Sequence, residues 1–267
     1  MKSHIANVTF GLFATIAFLF ILSGMSVFSS VALQMAPQMN MRPLILTTID
    51  SENFAGYAID SSLGSVSMVN GSWKVPTVSC LGVSGVESIE IITALDGYNA
   101  SLTAPRNGFR AESTCESGTA YYTVSYFEAG TSTSFYDTKP EDILLMQINY
   151  YGGDFHMSFS DLTQKYTRTF LFADNSAPRD TGEWLLGLVR SPLLDFAYAY
   201  SGPYYSGVSE TDMATVSGAT GSIGYFASSS SVGVFQQNMV DSNGFLMAST
   251  SSLVGGASFY VRWVAAS

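Results

Sequence analysis

The sequence predicts an all-β domain preceded by an N-terminal apolar helix. From Asn53 onward, short runs of alternating apolar and polar residues are separated at short intervals by turn-forming residues, a pattern typical of antiparallel β proteins. No stretch beyond the first 32 residues keeps a helical period. A chain of 267 residues, less a leader, is a suitable length for one undivided β domain.

Residues 1–32 are predicted to be a signal peptide or a signal-anchor helix. A basic start at Lys2 precedes an apolar run over residues 8–28, and Ser30-Val31-Ala32 is a small-x-small site that allows cleavage after Ala32. The run is also long enough to span a bilayer, so an uncleaved anchor is an equal alternative. Both alternatives export the domain, which is expected to be secreted or held on the outer face of the membrane.

Residues 33–50 carry prolines without periodicity and are predicted to be a linker, and residues 51–267 are predicted to form one domain. Asn70-Gly71 is a hairpin-turn dipeptide that would separate two strands, 65–69 and 71–76. Tyr151-Gly-Gly-Asp154 predicts a second hairpin, with His156 on one strand face. Further strands are predicted over Tyr121–Glu128, Ile143–Tyr150, Phe155–Asp161, Tyr166–Phe172, Glu183–Leu188, Ser222–Phe226, Val232–Asn238, Phe245–Thr250 and Ser258–Val264.

The charge composition excludes one class of partner. The chain has 11 Lys and Arg against 21 Asp and Glu, for a formal net charge of −10, and its few cations are scattered. A nucleic-acid partner is therefore not expected. Charged residues make up only 12% of the chain, which suits a protein that lives in acid and equally a neutral extracellular one.

The two cysteines, Cys80 and Cys115, are expected to form one disulfide in an exported chain, the alternative being two buried thiols. No cluster of Cys and His has the spacing of a metal site, and no motif predicts a cofactor. Asn70-Gly-Ser72 and Asn99-Ala-Ser101 are weak glycosylation sequons.

An ordered series of segments resembles the bacterial and archaeal branch of the eqolisin (glutamic) peptidases. The resemblance spans about residues 53–264 and implies a jelly-roll-like (concanavalin-like) sandwich of two antiparallel sheets. The matching segments are Asn53–Ala58, Gly71–Cys80, Ala94–Tyr98, Lys139–Asp142, Phe155–Lys165, Thr181–Gly187, Gly221–Gly224, Met239–Asp241 and Ser249–Leu253.

The resemblance implies a catalytic dyad whose two positions are both substituted here. In the family a Glu acts as general base and acid, while a Gln holds the oxyanion. The Glu position falls on Gly187, and the Gln position falls on Arg106 or, by another count, on Pro105. Other groove positions are also changed, because Ile92 replaces a tryptophan and the stretch from Tyr122 to Tyr126 loses an acidic residue.

Substitute catalytic groups are few. Glu183 lies on the same strand face as Gly187, about 13 Å away at roughly 3.3 Å per residue, and is expected to be a structural or rim carboxylate. Asp96 is a second candidate, and Arg106 could stabilise an oxyanion but would lack a base. No spacing rule selects among three further candidates, Glu112, Glu116 and Glu128.

Three functions remain open at this stage. The expected one is a catalytically inactive relative that binds an extended peptide or a glycan in its groove, or serves at the cell surface; tyrosines such as Tyr198 and Tyr200, which share a strand face, supply contact area. The second is an active acid endopeptidase with a displaced dyad. The third is an extracellular scaffold without a groove ligand. The oligomeric state is not predicted.

Overall fold

The computed structural model describes residues 45–97, 106–190, 195–196, 198–202, 212–229 and 231–265. These residues belong to one compact unit. They form seventeen strands: β1 (Thr47–Ser51), β2 (Phe54–Asp60), β3 (Val66–Lys74), β4 (Val86–Leu95), β5 (Asn107–Glu116), β6 (Thr119–Glu128), β7 (Thr131–Asp137), β8 (Ile143–Tyr151), β9 (Asp154–Asp161), β10 (Tyr166–Phe172), β11 (Thr181–Arg190), β12 (Tyr198–Ser201), β13 (Met213–Val216), β14 (Ala219–Ser222), β15 (Gly233–Val240), β16 (Leu246–Thr250) and β17 (Phe259–Trp263).

The strands form two packed layers. The front layer has the order β7-β6-β5-β4-β11-β2-β15, and the back layer has the order β10-β9-β8-β3-β12-β17. Strand β16 pairs with both β15 and β17, so hydrogen bonds join the layers into one continuous sheet rather than two separate ones. All of these pairs are antiparallel, and β1 adds to β15 in parallel. The predicted all-β class is confirmed.

The main core lies between the layers. Its largest fully buried side chains include Trp73 of β3, Trp184 of β11, Tyr57 of β2 and Phe109 of β5. The two indole N–H groups bond across the gap: Trp73 Nε1 donates to Thr93 Oγ1 at 3.1 Å and Trp184 Nε1 donates to the carbonyl of Asn70 at 2.8 Å. Because both buried indoles have a partner, they contribute apolar area without an unmet donor.

The hairpin predicted at Asn70-Gly71 is wrong, because β3 runs straight through this dipeptide. A Cβ at Gly71 would lie 2.3 Å from Thr93 Oγ1 and 2.8 Å from Trp184 Cδ1, so this glycine permits the close approach of the two layers. Asn70 is buried, and its sequon is therefore closed to a glycan. The other sequon, at Asn99, lies outside the described residues.

Two further boundaries differ from the prediction. Residues 47–50, assigned to the linker, pair with β15 as part of β1. The strand predicted over Ser222–Phe226 is replaced by a short helix, α1 (Ile223–Ala227), because the Ser222 hydroxyl accepts from the N–H of Tyr225 and caps its first turn. The predicted runs did not include strands β2, β4, β5, β7, β12, β13 and β14.

Several predictions are confirmed. The hairpin at Tyr151-Gly-Gly-Asp154 joins β8 to β9, with both glycines at positive φ. His156 lies on the face opposite Phe155, and its ring stacks on Tyr151 at 3.7 Å between centroids. Cys80 and Cys115 form the expected disulfide, which ties the loop after β3 to β5. The predicted leader lies outside the described residues, and the described residues contain no helix long and apolar enough to cross a membrane.

Candidate functional site

Gly187 lies near the middle of the front layer, on the face that points away from the main core. Strand β11 pairs with β2 on one side and β4 on the other, and Gly187 stands directly opposite Phe54 and Glu90. Residues directly opposite one another in an antiparallel pair project to the same face. We call this surface the Gly187 face. It continues across β5 to Glu112, which pairs with Glu90, and to Arg110, two residues before Glu112 on the same strand.

The space beside Gly187 is filled by the Glu90 side chain. A Cβ built on Gly187 would lie 2.7 Å from Glu90 Oε1 and 2.8 Å from its Cγ. Such distances are not found for a real Cβ, so any side chain at 187 requires Glu90 to move. The carboxyl group at this point of the sheet therefore comes from β4 and not from β11.

Arg110 connects two carboxylates on the Gly187 face. Its Nη1 lies 3.1 Å from Glu90 Oε2 and its Nη2 lies 3.8 Å from Glu112 Oε2. The guanidinium also lies 5.2 Å from the ring centroid of Phe127, within the range of a cation–π contact. Arg110 and Glu112 remain partly open to solvent, whereas Glu90 is buried.

The pKa of Glu90 is raised above its ordinary value. Burial is the largest cause, and the neighbouring charge of Glu112 acts in the same direction. The charge and hydrogen bond of Arg110 act in the opposite direction but do not cancel the effect of burial. The group is therefore a carboxyl that protonates at a higher pH than an exposed glutamate.

An apolar floor adjoins this cluster on the Gly187 face. Phe54, Ile92, Ala94 and Leu185 form a cluster separate from the main core, and the last three are at most 2% exposed. Ile92, predicted as a groove residue, does lie here, one row from Glu90.

Two buried N–H donors stand at opposite ends of one row across this floor. This row is a line of directly paired residues on five neighbouring strands. It runs from Gln237 of β15 through Gly56, Leu185 and Ile92 to Arg110 of β5. Neither Gln237 Nε2 nor Arg110 Nε has a hydrogen-bond partner among the described residues. Buried donors in folded proteins are almost always paired, so two on one face are an exception that calls for an explanation.

Glu183 lies on the Gly187 face but is 2% exposed. Its Oε1 accepts from Thr181 Oγ1 at 3.3 Å, and its β11 neighbour on this face is Leu185. Glu183 is therefore a buried carboxyl group, four residues from Gly187.

Arg106 and Asp96 do not lie near Gly187. The N–H of Arg106 donates to the carbonyl of Asp96, six residues along β4 from Glu90, a separation of about 20 Å in an extended strand. The Arg106 guanidinium forms a two-point salt bridge with Asp174, at 2.7 and 2.9 Å. Pro105 lies outside the described residues.

The two carboxyl groups near Arg106, those of Asp174 and Asp96, each have a structural role. Burial raises the pKa of Asp174, but hydrogen bonds from Arg106, Ser176 and Asn107 outweigh it and leave the pKa at about 2. Burial raises the pKa of Asp96 to about 6, although backbone N–H groups of residues 179–181 bond to its carboxylate. Asp96 thus holds the chain that leads into β11.

Tyr122 and Tyr126, predicted to line the groove, lie on the opposite face. Both are packed against the main core, and the Tyr126 ring packs at a tilt against Phe170 with centroids 4.3 Å apart. The register explains this placement, because Tyr126 stands opposite the core residue Phe109 whereas Ser125 stands opposite Arg110. Among the described residues no group of three or more His, Cys, Asp or Glu side chains is close enough to ligate a metal.

Comparison with solved structures finds the same fold in two glutamic peptidases. Scytalidoglutamic peptidase, solved with a peptide-based transition-state analogue, superimposes with a TM-score of 0.57 over 80% of this chain and 99% of its own, at 14% identity. SCP-B, an eqolisin solved with the tripeptide Ala-Ile-His, gives a TM-score of 0.54 at 13% identity, with the same coverage. The chain has the eqolisin fold. No protein-family model matches the sequence, and no curated protein matches it.

Within this eqolisin fold, Glu90 and Arg110 are the polar residues that the sequence analysis missed. The signal was present: Glu90 is a single carboxylate in the apolar run Ile89-Glu-Ile-Ile92, and alternation places it on the face opposite Ile89 and Ile91. Arg110 alternates in the same way with Phe109 and Ala111. Glu112, one of the three unranked candidates, belongs to the same cluster.

Proposed function

We propose that this protein is an exported eqolisin-fold protein that binds an extended peptide on the Gly187 face without cutting it. The observation that carries the proposal is the row from Gln237 to Arg110, in which two buried donors without a partner among the described residues flank an apolar floor. Peptide carbonyls supply the acceptors that such donors need.

The dimensions of the row suit a short extended segment. Gln237 and Arg110 are separated by four strand spacings, about 19 Å, which an extended chain of about six residues covers. Both solved relatives that share the fold were crystallised with peptide-like ligands, which favours a peptide over a glycan as the occupant here. The partly exposed pair Arg110 and Glu112 would contact the ligand at the solvent-accessible end.

The part of the proposal that excludes cutting rests on the positions that the resemblance assigns to the Glu/Gln dyad. Gly187 has no carboxyl, and Glu90, which fills its space, is held by the Arg110 guanidinium. An ion-paired carboxylate is a poor general base because its lone pairs and charge are already engaged. Glu183 is buried, and Arg106 is engaged by Asp174 at the far end of β4.

Export belongs to the proposal as well. The apolar run over residues 8–28 and the disulfide between Cys80 and Cys115 both suit a domain outside the cytoplasm, either free or anchored by an uncleaved leader. N-terminal sequencing of the mature protein, together with fractionation of cells into membrane and medium, separates the free form from the anchored form. Recovery of the intact chain in the cytoplasm would contradict both.

Binding is tested with the full chain and a fluorescent library of capped hexapeptides. Replacing Gln237 by Leu removes one donor and is expected to weaken the best binder at least 10-fold, since an unmet acceptor in the ligand costs about 1–3 kcal/mol. Gln147→Leu is the matched control, because Gln147 lies on β8 in the back layer. Equal weakening by both variants, or by neither, would contradict binding on the Gly187 face.

A second candidate function is an acid endopeptidase in which Glu90 takes the place of the missing carboxyl. One observation favours it: a carboxylate and a guanidinium lie 3.1 Å apart in the space beside Gly187, and the pKa of that carboxyl is raised. In this mechanism Glu90 would remove a proton from the attacking water and Arg110 would stabilise the oxyanion.

The two candidates are distinguished by incubating the protein with a denatured substrate at pH 2–5 and searching for new peptide termini. An intact substrate supports the binding protein. Cleavage that is lost in Glu90→Gln but retained in Glu112→Gln supports the peptidase. Cleavage lost instead in Glu183→Gln would assign the acid to β11 and overturn both accounts of Glu90.

A further inference from the structure

We infer that the outer face of the back layer carries a binding site for a glycan that contains a carboxylate, such as a uronic acid polymer. The site consists of the tyrosine platform, defined as Tyr198, Tyr200 and Tyr260, together with Arg262. It lies on the other layer from the Gly187 face and does not depend on the function proposed there.

Strand pairing brings the three rings of the platform together. Tyr200 stands opposite Tyr260, and Tyr198 stands opposite Arg262, on β12 and β17. The alternating residues Ala199 and Val261 are buried in the main core, so the tyrosines and the arginine project outward. All four side chains therefore share one face of two neighbouring strands.

The rings support one another and leave an open surface. Tyr198 and Tyr200 stack with centroids 5.7 Å apart, and Tyr260 packs edge-on against Tyr198 at 5.4 Å. Tyr198 is 41% exposed although it touches both other rings. Mutual packing fixes the ring orientations, so little side-chain entropy is lost when a flat ligand face is laid on them.

The tyrosine rings of the platform complement the surface of a sugar ring. Phenol rings present an apolar face with a hydroxyl at one end, which complements a pyranose ring that has C–H groups on one face and hydroxyls at its edge. Tyr121 offers the contrast: it is 51% exposed on β6, but no described ring contacts it, so it presents a single aromatic side chain and not a platform.

Arg262 specifies the charge of the ligand. Among the described residues no carboxylate lies within ion-pair distance of Arg262, whereas the neighbouring Lys74 is paired with Glu141 and Arg106 with Asp174. A guanidinium binds a carboxylate through two parallel hydrogen bonds, and Arg262 stands directly across from the exposed Tyr198. Cations are few in this chain of net charge −10. An exposed arginine beside an aromatic surface therefore complements an acidic sugar and not a neutral one.

The test compares two probes that differ only in charge: hexagalacturonate and its full methyl ester, titrated into the intact protein by calorimetry. The acid is expected to bind at least 10-fold more tightly than the ester. Arg262→Gln should remove that difference by weakening the acid alone, and Tyr198→Ala should weaken both probes at least 10-fold. Tyr198→Trp should retain both, and Tyr121→Ala should change neither.

Absence of binding to both probes would overturn the inference, and so would equal affinity for the acid and the ester in the parent protein. Affinities unchanged in Tyr198→Ala would also overturn it, because the sugar would then lie elsewhere. Thermal unfolding of each variant shows whether it is folded; where Tyr198→Ala is not, Tyr198→Leu, which keeps an apolar side chain without the aromatic face, replaces it with the same expected loss.

Discussion

Glu90 stands directly across from Gly187 on the neighbouring strand, and its carboxylate occupies the space that a side chain at 187 would need. The two positions are complementary, since the absence of one side chain permits the presence of the other. The carboxyl group at this point of the sheet is supplied by β4 and held by Arg110.

This complementarity predicts a non-additive pair of substitutions. Gly187→Ala should lower the free energy of unfolding by about 1–3 kcal/mol, because the added methyl collides with Glu90. In the Glu90→Ala background the same change should cost at least about 0.5 kcal/mol less, since the obstacle is gone. Urea unfolding of the four proteins measures the coupling. Gly85→Ala, which meets nothing within 4 Å, is the control and should leave stability nearly unchanged.

A second prediction concerns the residue that sequence counting places at the Gln position. Arg106→Gln restores that amide, but peptide cleavage should not appear, because the side chain faces Asp174 about 20 Å from Glu90. The variant should instead lose about 1–3 kcal/mol of stability at pH 7, where Asp174 would remain buried and ionised without its cation.

The pH dependence of this loss follows from the pKa of Asp174, which is about 2 in the folded protein and thus below its ordinary value of 3.8. A lowered pKa stabilises the fold above the ordinary value, and that stabilisation disappears as the pH falls through 2. The gap between parent and Arg106→Gln in urea unfolding should therefore narrow between pH 5 and pH 2. A gap of constant size would show that Arg106 acts through packing and not through charge.

The all-β class and about half of the strands were predictable because alternation is a local property. Tyr166–Phe172 has the predicted bounds, and β8, β9 and β17 differ by at most a residue at either end. The Asn70-Gly71 turn was not predictable from local signals. Gly71 is needed for the approach of Thr93 and Trp184 from the other layer, a long-range contact that no local pattern contains.

The site was predicted less well than the fold, and the register explains why. Counting residues from Asp96 or from Gly108 places the Gln position at 105 or 106, but the pairing of β4 with β5 places Arg110 and Glu112 at the level of Gly187. Tyr122 and Tyr126 were assigned to the groove although Tyr126 stands opposite a core residue. One strand register thus decides which side chains meet, and the sequence alone does not contain it.

The disulfide between Cys80 and Cys115 gives a third prediction. It joins residues 35 apart in sequence, which constrains the unfolded chain by about 3–4 kcal/mol in the loop-entropy account. Cys80→Ser/Cys115→Ser should reduce the free energy of unfolding by about this amount without changing the far-ultraviolet circular dichroism of the folded state. If the double variant were as stable as the parent, the cross-link would not contribute to folding stability.

Asp212 gives the fourth prediction, which concerns stability against pH. Its side chain is fully buried, with Oδ2 accepting from Ser201 Oγ at 2.7 Å and Oδ1 accepting from the N–H of Ser72 at 3.2 Å. Burial raises its pKa to about 8, although both hydrogen bonds act in the opposite direction. The folded protein therefore keeps this proton at pH values where the unfolded chain, with an ordinary pKa of 3.8, has released it.

Because its pKa is raised, Asp212 contributes its full stabilisation at pH values below 3.8. This stabilisation is lost as the pH rises toward 8. Because the folded protein keeps the Asp212 proton, the free energy of unfolding should fall by up to about 1.4 kcal/mol per pH unit between pH 4 and pH 8. Asp212→Asn retains an acceptor for Ser72 and cannot ionise, so its unfolding free energy should depend less on pH across this window and exceed that of the parent near pH 8. Asp137→Asn, at an exposed position on β7, is the control and should leave the slope unchanged. If parent and Asp212→Asn showed equal slopes in urea unfolding, Asp212 would have to be ionised in the folded protein, contrary to its burial.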